Sequence, residues 1–151
     1  METNTKQGKL VAPLQLESPL ALAPTSKPVF PFFTKDLEGK DIALGDPKAT
    51  RALVAIMNAH AVLGGAACHW GGPAALAEIM SAIHGVMFAS GSRWFDNYHF
   101  VNDAGHTENG VYALRANLGF DGMTPADLKG FRSIESKLTG HGEQHLNPEG
   151  V

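Results

Sequence analysis

The spacing of apolar residues changes several times along the chain, and each change marks an element. Between Asp46 and Gly64, Leu53, Ile56, Met57 and Leu63 recur near helical steps. Asp46-Pro47 in front of them is a helix start: the aspartate can cap orphan N–H groups, and proline in the first turn gives up an N–H that has no partner there. Gly64-Gly65 stops the run. After the glycine-rich stretch Ala66 to Gly72, Pro73 opens a second predicted helix. Its Leu76, Ile79, Met80, Ile83 and Met87 keep steps of three and four, which predicts one buried stripe. Tyr98 to Asn102 is short, aromatic and β-branched and reads as a strand. A third helix, Thr107 to Leu118, follows the turn Asp103 to His106 and has Gly119 as its stop. Thr124, Pro125 and Asp127 then form a cap, a first-turn proline and a reciprocal acid, opening a short helix through about Arg132. Residues 133–150 contain Gly140, Gly142 and Pro148 and read as an ordered, irregular loop.

Upstream the pattern is different. Six of the nine prolines lie in the first 47 residues, a density that works against helix interiors and sheet ladders. The expected organisation is a proline-rich extended arm over 1–45 and one α/β portion over 46–151. Val29 to Phe33 is too aromatic to be left in water and should dock on a surface. One strand against four helices cannot satisfy its own ladder groups. The parallel sheet must therefore be completed from elsewhere, by another polypeptide or by the remainder of a longer α/β domain.

Composition narrows the chemistry. With 12 basic and 15 acidic residues, a formal net charge of −3, the chain lacks the basic footprint of a nucleic-acid or anionic-membrane binder. No run approaches a membrane span or a signal peptide, Leu10 to Pro24 being broken by Glu17 and three prolines. The single cysteine, Cys68, excludes an intrachain disulfide and suits a reducing, cytoplasmic setting. Phosphate-loop, dinucleotide and serine-elbow motifs are missing. His141 to His145 superficially resembles a zinc-protease helix, but Glu143 sits two residues after the first histidine and Gly140 and Gly142 argue against a helix. The deaminase pattern needs two further cysteines.

Of the seven histidines, three lie in glycine-rich junctions: His69 before the second helix, His106 at the strand-to-helix turn, and His141 in the final loop. Ligands of open α/β sheets sit outside the carboxyl ends of strands, facing helix N-termini. Imidazoles there can donate to phosphate or sugar oxygens and move a proton near neutral pH. A cluster of three therefore suits a phosphorylated, polyhydroxylated ligand. His60, on a helical face, and His84, at a helix end, read as packing or solvated residues.

These segments together resemble the transketolase family. Cys68-His-Trp-Gly-Gly72 with Ala77-Glu-Ile79 is similar to its Gly-His-Pro-Gly-Gly and following Ala-Glu-Ile. His99 to His106, then Tyr112, resembles its strand, its Gly-His turn and a downstream tyrosine. Leu128 to Arg132, Ser136-Lys137, Gly140 to Glu143 and Gly150-Val151 resemble the Leu-x-x-Phe-Arg, Ser-Lys, Gly-His-Pro-Glu and Gly-Val-Glu run. Order and spacing agree from Arg51 to the end.

The resemblance implies the start of a thiamine diphosphate-binding fold, a parallel sheet flanked by helices, incomplete in this chain. It implies transfer of a two-carbon ketol unit between sugar phosphates. His69 and His141 would serve catalysis, Gly105 and His106 the cofactor, and all three histidines the substrate. Mg2+ ligands are expected outside this chain, because the family's Gly-Asp-Gly to Asn motif lies beyond Val151. So does the glutamate that activates the cofactor, which comes from a second domain across a dimer interface. Partners would be a completing polypeptide or the remainder of the enzyme, as a homodimer or heterotetramer. Cys68, Trp70, Asp103 and Ala104 depart from the family pattern. Two alternatives stay open: a non-catalytic truncated paralogue that regulates a full-length thiamine diphosphate enzyme, and a relative of the pyruvate dehydrogenase decarboxylase. A histidine-rich metal-binding protein is a third.

Overall fold

The computed structural model describes residues 28–89, 96–98 and 100–142. Its elements in chain order are β1 (Pro31–Lys35), β2 (Asp41–Gly45), α1 (Pro47–Leu63), α2 (Gly71–Ala75), α3 (Ala77–Ala89) and α4 (Glu108–Leu118), followed by two short 3-10 turns, Phe120–Gly122 and Asp127–Gly130.

The first difference from the sequence reading lies in the arm. β1 and β2 pair antiparallel, Pro31 opposite Gly45 and Lys35 opposite Asp41. The prolines do not prevent this, because Pro31 alone falls within a strand and occupies its first position, where a missing N–H is tolerated. Asp36 Oδ1 accepts from the N–H of Glu38 and of Lys40 at 3.1 and 2.8 Å and so builds the turn. The segment before β1 docks, but through its backbone, and the side chains expected to leave water, Val29 and Phe30 included, stay exposed. Asn117 of α4 takes the N–H of Phe30 on Oδ1 at 2.7 Å and returns Nδ2 to the Phe30 carbonyl at 3.0 Å. The rings of Phe32 and Phe33 stay exposed.

α1 forms where the spacing predicts a helix, but of the four residues that set the spacing only Leu53 and Met57 are buried, while Ile56 and Leu63 are exposed. Asp46 accepts from Lys48 N at 2.8 Å and Pro47 occupies the first turn. Its buried face, Leu53, Val54, Met57 and Ala61, packs on Tyr112, Ala113 and Ala116 of α4, and Leu128, Phe131 and Leu138 close the far side. The second helix is broken at Leu76 into α2 and α3, so its start is Gly71 rather than Pro73. Only part of the predicted stripe is buried: Met80 and Met87 face inward beside Ala77, Ser81 and His84, whereas Ile79 and Ile83 are exposed together with Val86.

α4 is the centre of the unit, buried along its whole length including Glu108, Asn109, Arg115 and Asn117. Gly119 ends it in the left-handed conformation, φ +66°. Gly110 lies inside it because a Cβ there would stand 2.8 Å from Met80 Cε and 3.2 Å from the backbone of Pro73. The expected strand over Tyr98 to Asn102 is not formed at its described residues 98 and 100–102. A strand needs a neighbour to complete its ladder, and none runs beside this segment among the described residues. Phe100 is half-buried against the Met80, Val111, Leu114 and Leu118 cluster. No parallel pairing is present among the described residues; the sheet that exists is the β1–β2 hairpin. The predicted helix at 124–132 is a 3-10 turn over 127–130; the acid plays its reciprocal part, Asp127 Oδ2 accepting from Thr124 N–H and Oγ1, each at 2.7 Å, but no side chain caps the turn.

Candidate functional site

The three junction histidines come from three loops separated by 37 and 35 positions in sequence, and the fold brings these loops together. The first loop leaves α1 at Gly64 and is pinned at its far end by backbone rather than by side chain. The His69 carbonyl accepts from Asn58 Nδ2 of α1 at 2.7 Å and from Asn109 Nδ2 of α4 at 2.9 Å. Asn109 also donates to Asn58 Oδ1 at 3.0 Å, so two buried amides satisfy one another while holding the loop. The imidazole is left exposed. Cys68 beside it is half-buried, and burial pushes its thiol up while the Arg132 charge works in the opposite direction.

His106 sits on the turn that enters α4. Gly105 N–H donates to the Asn102 carbonyl at 3.2 Å and Glu108 N–H to the Gly105 carbonyl at 3.0 Å. Thr107 Oγ1 donates to Asn102 Oδ1 at 2.8 Å, and Asn102 Nδ2 to Glu108 Oε2 at 2.7 Å. These side chains hold the turn, and His106 projects from it into contact with His69, ring centroids 4.7 Å apart and tilted by 53°. Gly105 has φ +32°, and a Cβ there would lie 3.1 Å from His141 Cδ2. The third ring is therefore seated on the residue that precedes the second. Thr139 Oγ1 donates to the His141 carbonyl, and Tyr112, the tyrosine singled out downstream of the turn, lies 3.5 Å from Thr139 Oγ1 through its hydroxyl.

His69, Gly105, His106 and His141 thus share one surface, with all three rings exposed. His145 and Glu143 lie outside the described residues. His60 is exposed on α1, while His84 is fully buried in α3 rather than placed at a helix end. Nδ1 of His84 lies 2.9 Å from the Met80 carbonyl, its ring packs on Phe88 and Phe100, and burial, with the Arg115 charge adding to it, lowers its pKa to about 3.

One residue at this site is not found from the sequence pattern. Glu108, the first residue of α4, is fully buried beneath the His106 turn, with Oε1 lacking a hydrogen-bond partner among the described residues. Burial pushes its carboxyl up, opposed by the Asn102 hydrogen bond and the Arg115 charge. The available signal was the polar run Thr107, Glu108, Asn109 in a helix whose other residues pack. Exposed imidazoles around a glycine turn at a helix entrance are donors that fit phosphate and sugar oxygens. Among the described residues no group of three or more His, Cys, Asp or Glu is placed to hold a metal ion.

Residues 47–151 match the family model described as transketolase, thiamine diphosphate binding domain. The chain is 44% identical over 55 residues to a transketolase of Aquifex aeolicus, covering 36% of this chain and 8% of that protein. It is 34% identical over 91 residues to a transketolase of Dictyostelium discoideum, covering 58% of this chain and 14% of that protein. Against a transketolase of Nostoc it is 41% identical over 54 residues, 36% of this chain and 8% of that protein. The matched region is thus a small part of the length of these relatives. No solved structure matches the chain. A family match over residues 47–151, spanning every histidine of the cluster, means that the chain belongs to the transketolase family, in the region of its thiamine diphosphate-binding domain.

Proposed function

We propose that this chain supplies the N-terminal part of the diphosphate-binding domain of a transketolase-like enzyme, which moves a two-carbon ketol unit from a ketose phosphate to an aldose phosphate. It acts as a fragment or as one subunit of a split enzyme, in a reducing, cytoplasmic compartment. The observation that carries the reading is the convergence of His69, His106 and His141 from three separate loops on one exposed surface.

Thiamine diphosphate, when bound, supplies the nucleophilic carbon that attacks the ketose carbonyl. The chain's own residues orient and exchange protons. His106, on the turn into α4, donates to the diphosphate or to a sugar hydroxyl. His69 and His141 donate to substrate hydroxyls and carry protons to and from the reacting oxygens near neutral pH. Mg2+ and its ligands come from a completing polypeptide or from the remainder of the enzyme, in a homodimer or heterotetramer. The exposed Ile79, Ile83 and Val86 of α3 are the face on which the rest of the sheet packs.

A second reading, a non-catalytic paralogue that docks on a full-length thiamine diphosphate enzyme, is favoured by one observation: the buried carboxyl of Glu108 beneath the turn where a diphosphate would lie. A transfer assay separates the two. The chain is mixed with a polypeptide carrying the rest of the domain, including the Gly-Asp-Gly metal motif, and ketol transfer between sugar phosphates is followed. Transfer that appears on mixing, with His69→Ala lowering turnover and His106→Ala lowering both turnover and cofactor affinity, supports the enzyme. A stable complex with no transfer supports the docking protein.

A further inference from the structure

Arg132 is the only non-glycine residue with positive φ among the described residues, at +63°. That conformation is uncommon for a long side chain and persists where the surrounding structure over-determines it. Here the constraint is a small closed loop. Arg132 N–H donates to the Leu138 carbonyl at 2.8 Å, and the guanidinium reaches the Gly140 carbonyl at 3.5 Å. It lies so close over Gly140 that a Cβ there would fall 2.6 Å from its Cζ. Nε is buried with no acceptor among the described residues, and the half-buried group rests 5.6 Å over the Phe131 ring. Glycine would take this φ at no steric cost, whereas Arg132 carries that cost. What it achieves is placement: Gly140 leads directly into His141, and the Arg132 charge also acts on Cys68, the neighbour of His69.

We propose that Arg132 is a positioning residue of the histidine cluster, its left-handed backbone and its guanidinium locking the 132–140 loop so that His141 seats on Gly105 beside His106. The consequence for catalysis rests on the transketolase-like reading above; the positioning itself does not. The test uses Arg132→Gly, which suits the backbone conformation and deletes the guanidinium, and Arg132→Lys, which keeps the charge without the planar fork. In the dilute chain carrying 13C-labelled histidine, the nuclear Overhauser contact between the His141 ring and Gly105 Hα is expected to disappear in Arg132→Gly and to weaken in Arg132→Lys. Contacts between Tyr112 and Phe131, and the unfolding midpoint of Arg132→Gly, should hold. With the completing polypeptide, kcat should fall about tenfold or more while the Michaelis constant for the ketose phosphate moves little. Persistence of the His141–Gly105 contact in Arg132→Gly overturns the proposal, as does its loss together with the Tyr112–Phe131 contacts, which would make Arg132 a general structural residue. A lost contact without any transfer activity in the wild-type mixture would sink the functional reading and leave the positioning role intact.

Discussion

His84 and Glu108 are buried titratable groups on adjoining helices, and they give folding stability opposite dependences on pH. His84 titrates near 3 in the folded chain against an ordinary 6.5. Between those values the unfolded chain binds a proton that the folded chain refuses. Stability therefore falls as pH drops from 6.5, with a limiting slope of about 1.4 kcal/mol per pH unit. Glu108 is raised above its ordinary 4.5 by burial. The folded chain holds that proton after the unfolded chain has released it, so this group costs stability as pH rises above 4.5. Urea unfolding across pH 4 to 8 on His84→Gln and Glu108→Gln checks both, with His84→Gln flattening the acid limb and Glu108→Gln flattening the opposite one. At this scale the three clustered histidines were legible as exposed residues, because each lies in or beside a glycine-containing turn at an element junction. Asn58, Asn109, Glu108 and Arg132 were not legible. Their roles depend on partners 51 residues apart for the two asparagines, or on a backbone conformation, and neither leaves a local pattern.

Among the elements, the bounds of α1 were readable because a capped start, helical spacing and a glycine stop agree, although its buried face was only half read: Leu53 and Met57 are buried, Ile56 and Leu63 exposed. α3 was misread in part. Its apolar residues surround the helix, and spacing alone cannot say that Ala77, Ser81 and His84 would face inward while Ile79 and Ile83 face out. The hairpin was missed because proline density masks two strands that contain a single proline at a tolerated position. α4 was read only by its bounds and proved central, its polar residues each meeting a partner from another part of the chain. Gly110 shows the consequence. Alanine there gains roughly 1 kcal/mol of helix propensity, but its Cβ meets the Pro73 backbone at 3.2 Å, which cannot yield as a side chain can. Gly110→Ala should therefore lower stability by about 1–3 kcal/mol, the usual cost of overpacking, read as a lower thermal midpoint; a raised midpoint would mean that α2 and α4 pack less closely than described. In the same preparation, amides of α1 and α4 should exchange slowly and those of Phe100 to Asn102 quickly, since the latter have no ladder among the described residues. Slow exchange at Phe100 to Asn102 would mean that this segment is already paired.

For the whole molecule, the matched region covers between 8% and 14% of the three transketolases compared above, and its exposed surface includes the Ile79, Ile83 and Val86 face of α3. Among the described residues no helix is long and apolar enough to cross a membrane. The histidine surface offers donors for a diphosphate, but no cluster able to hold the divalent cation that would offset its charge. The central claim is that this chain holds one part of a thiamine diphosphate site, and titration calorimetry with thiamine diphosphate and Mg2+ tests it most directly. The chain alone should show no magnesium-dependent heat at micromolar cofactor. Mixed with the polypeptide that carries the rest of the domain, it should bind, and His106→Ala should weaken that binding. Micromolar, magnesium-dependent binding by the 151-residue chain alone, or binding by the mixture that is indifferent to His106, would contradict the account.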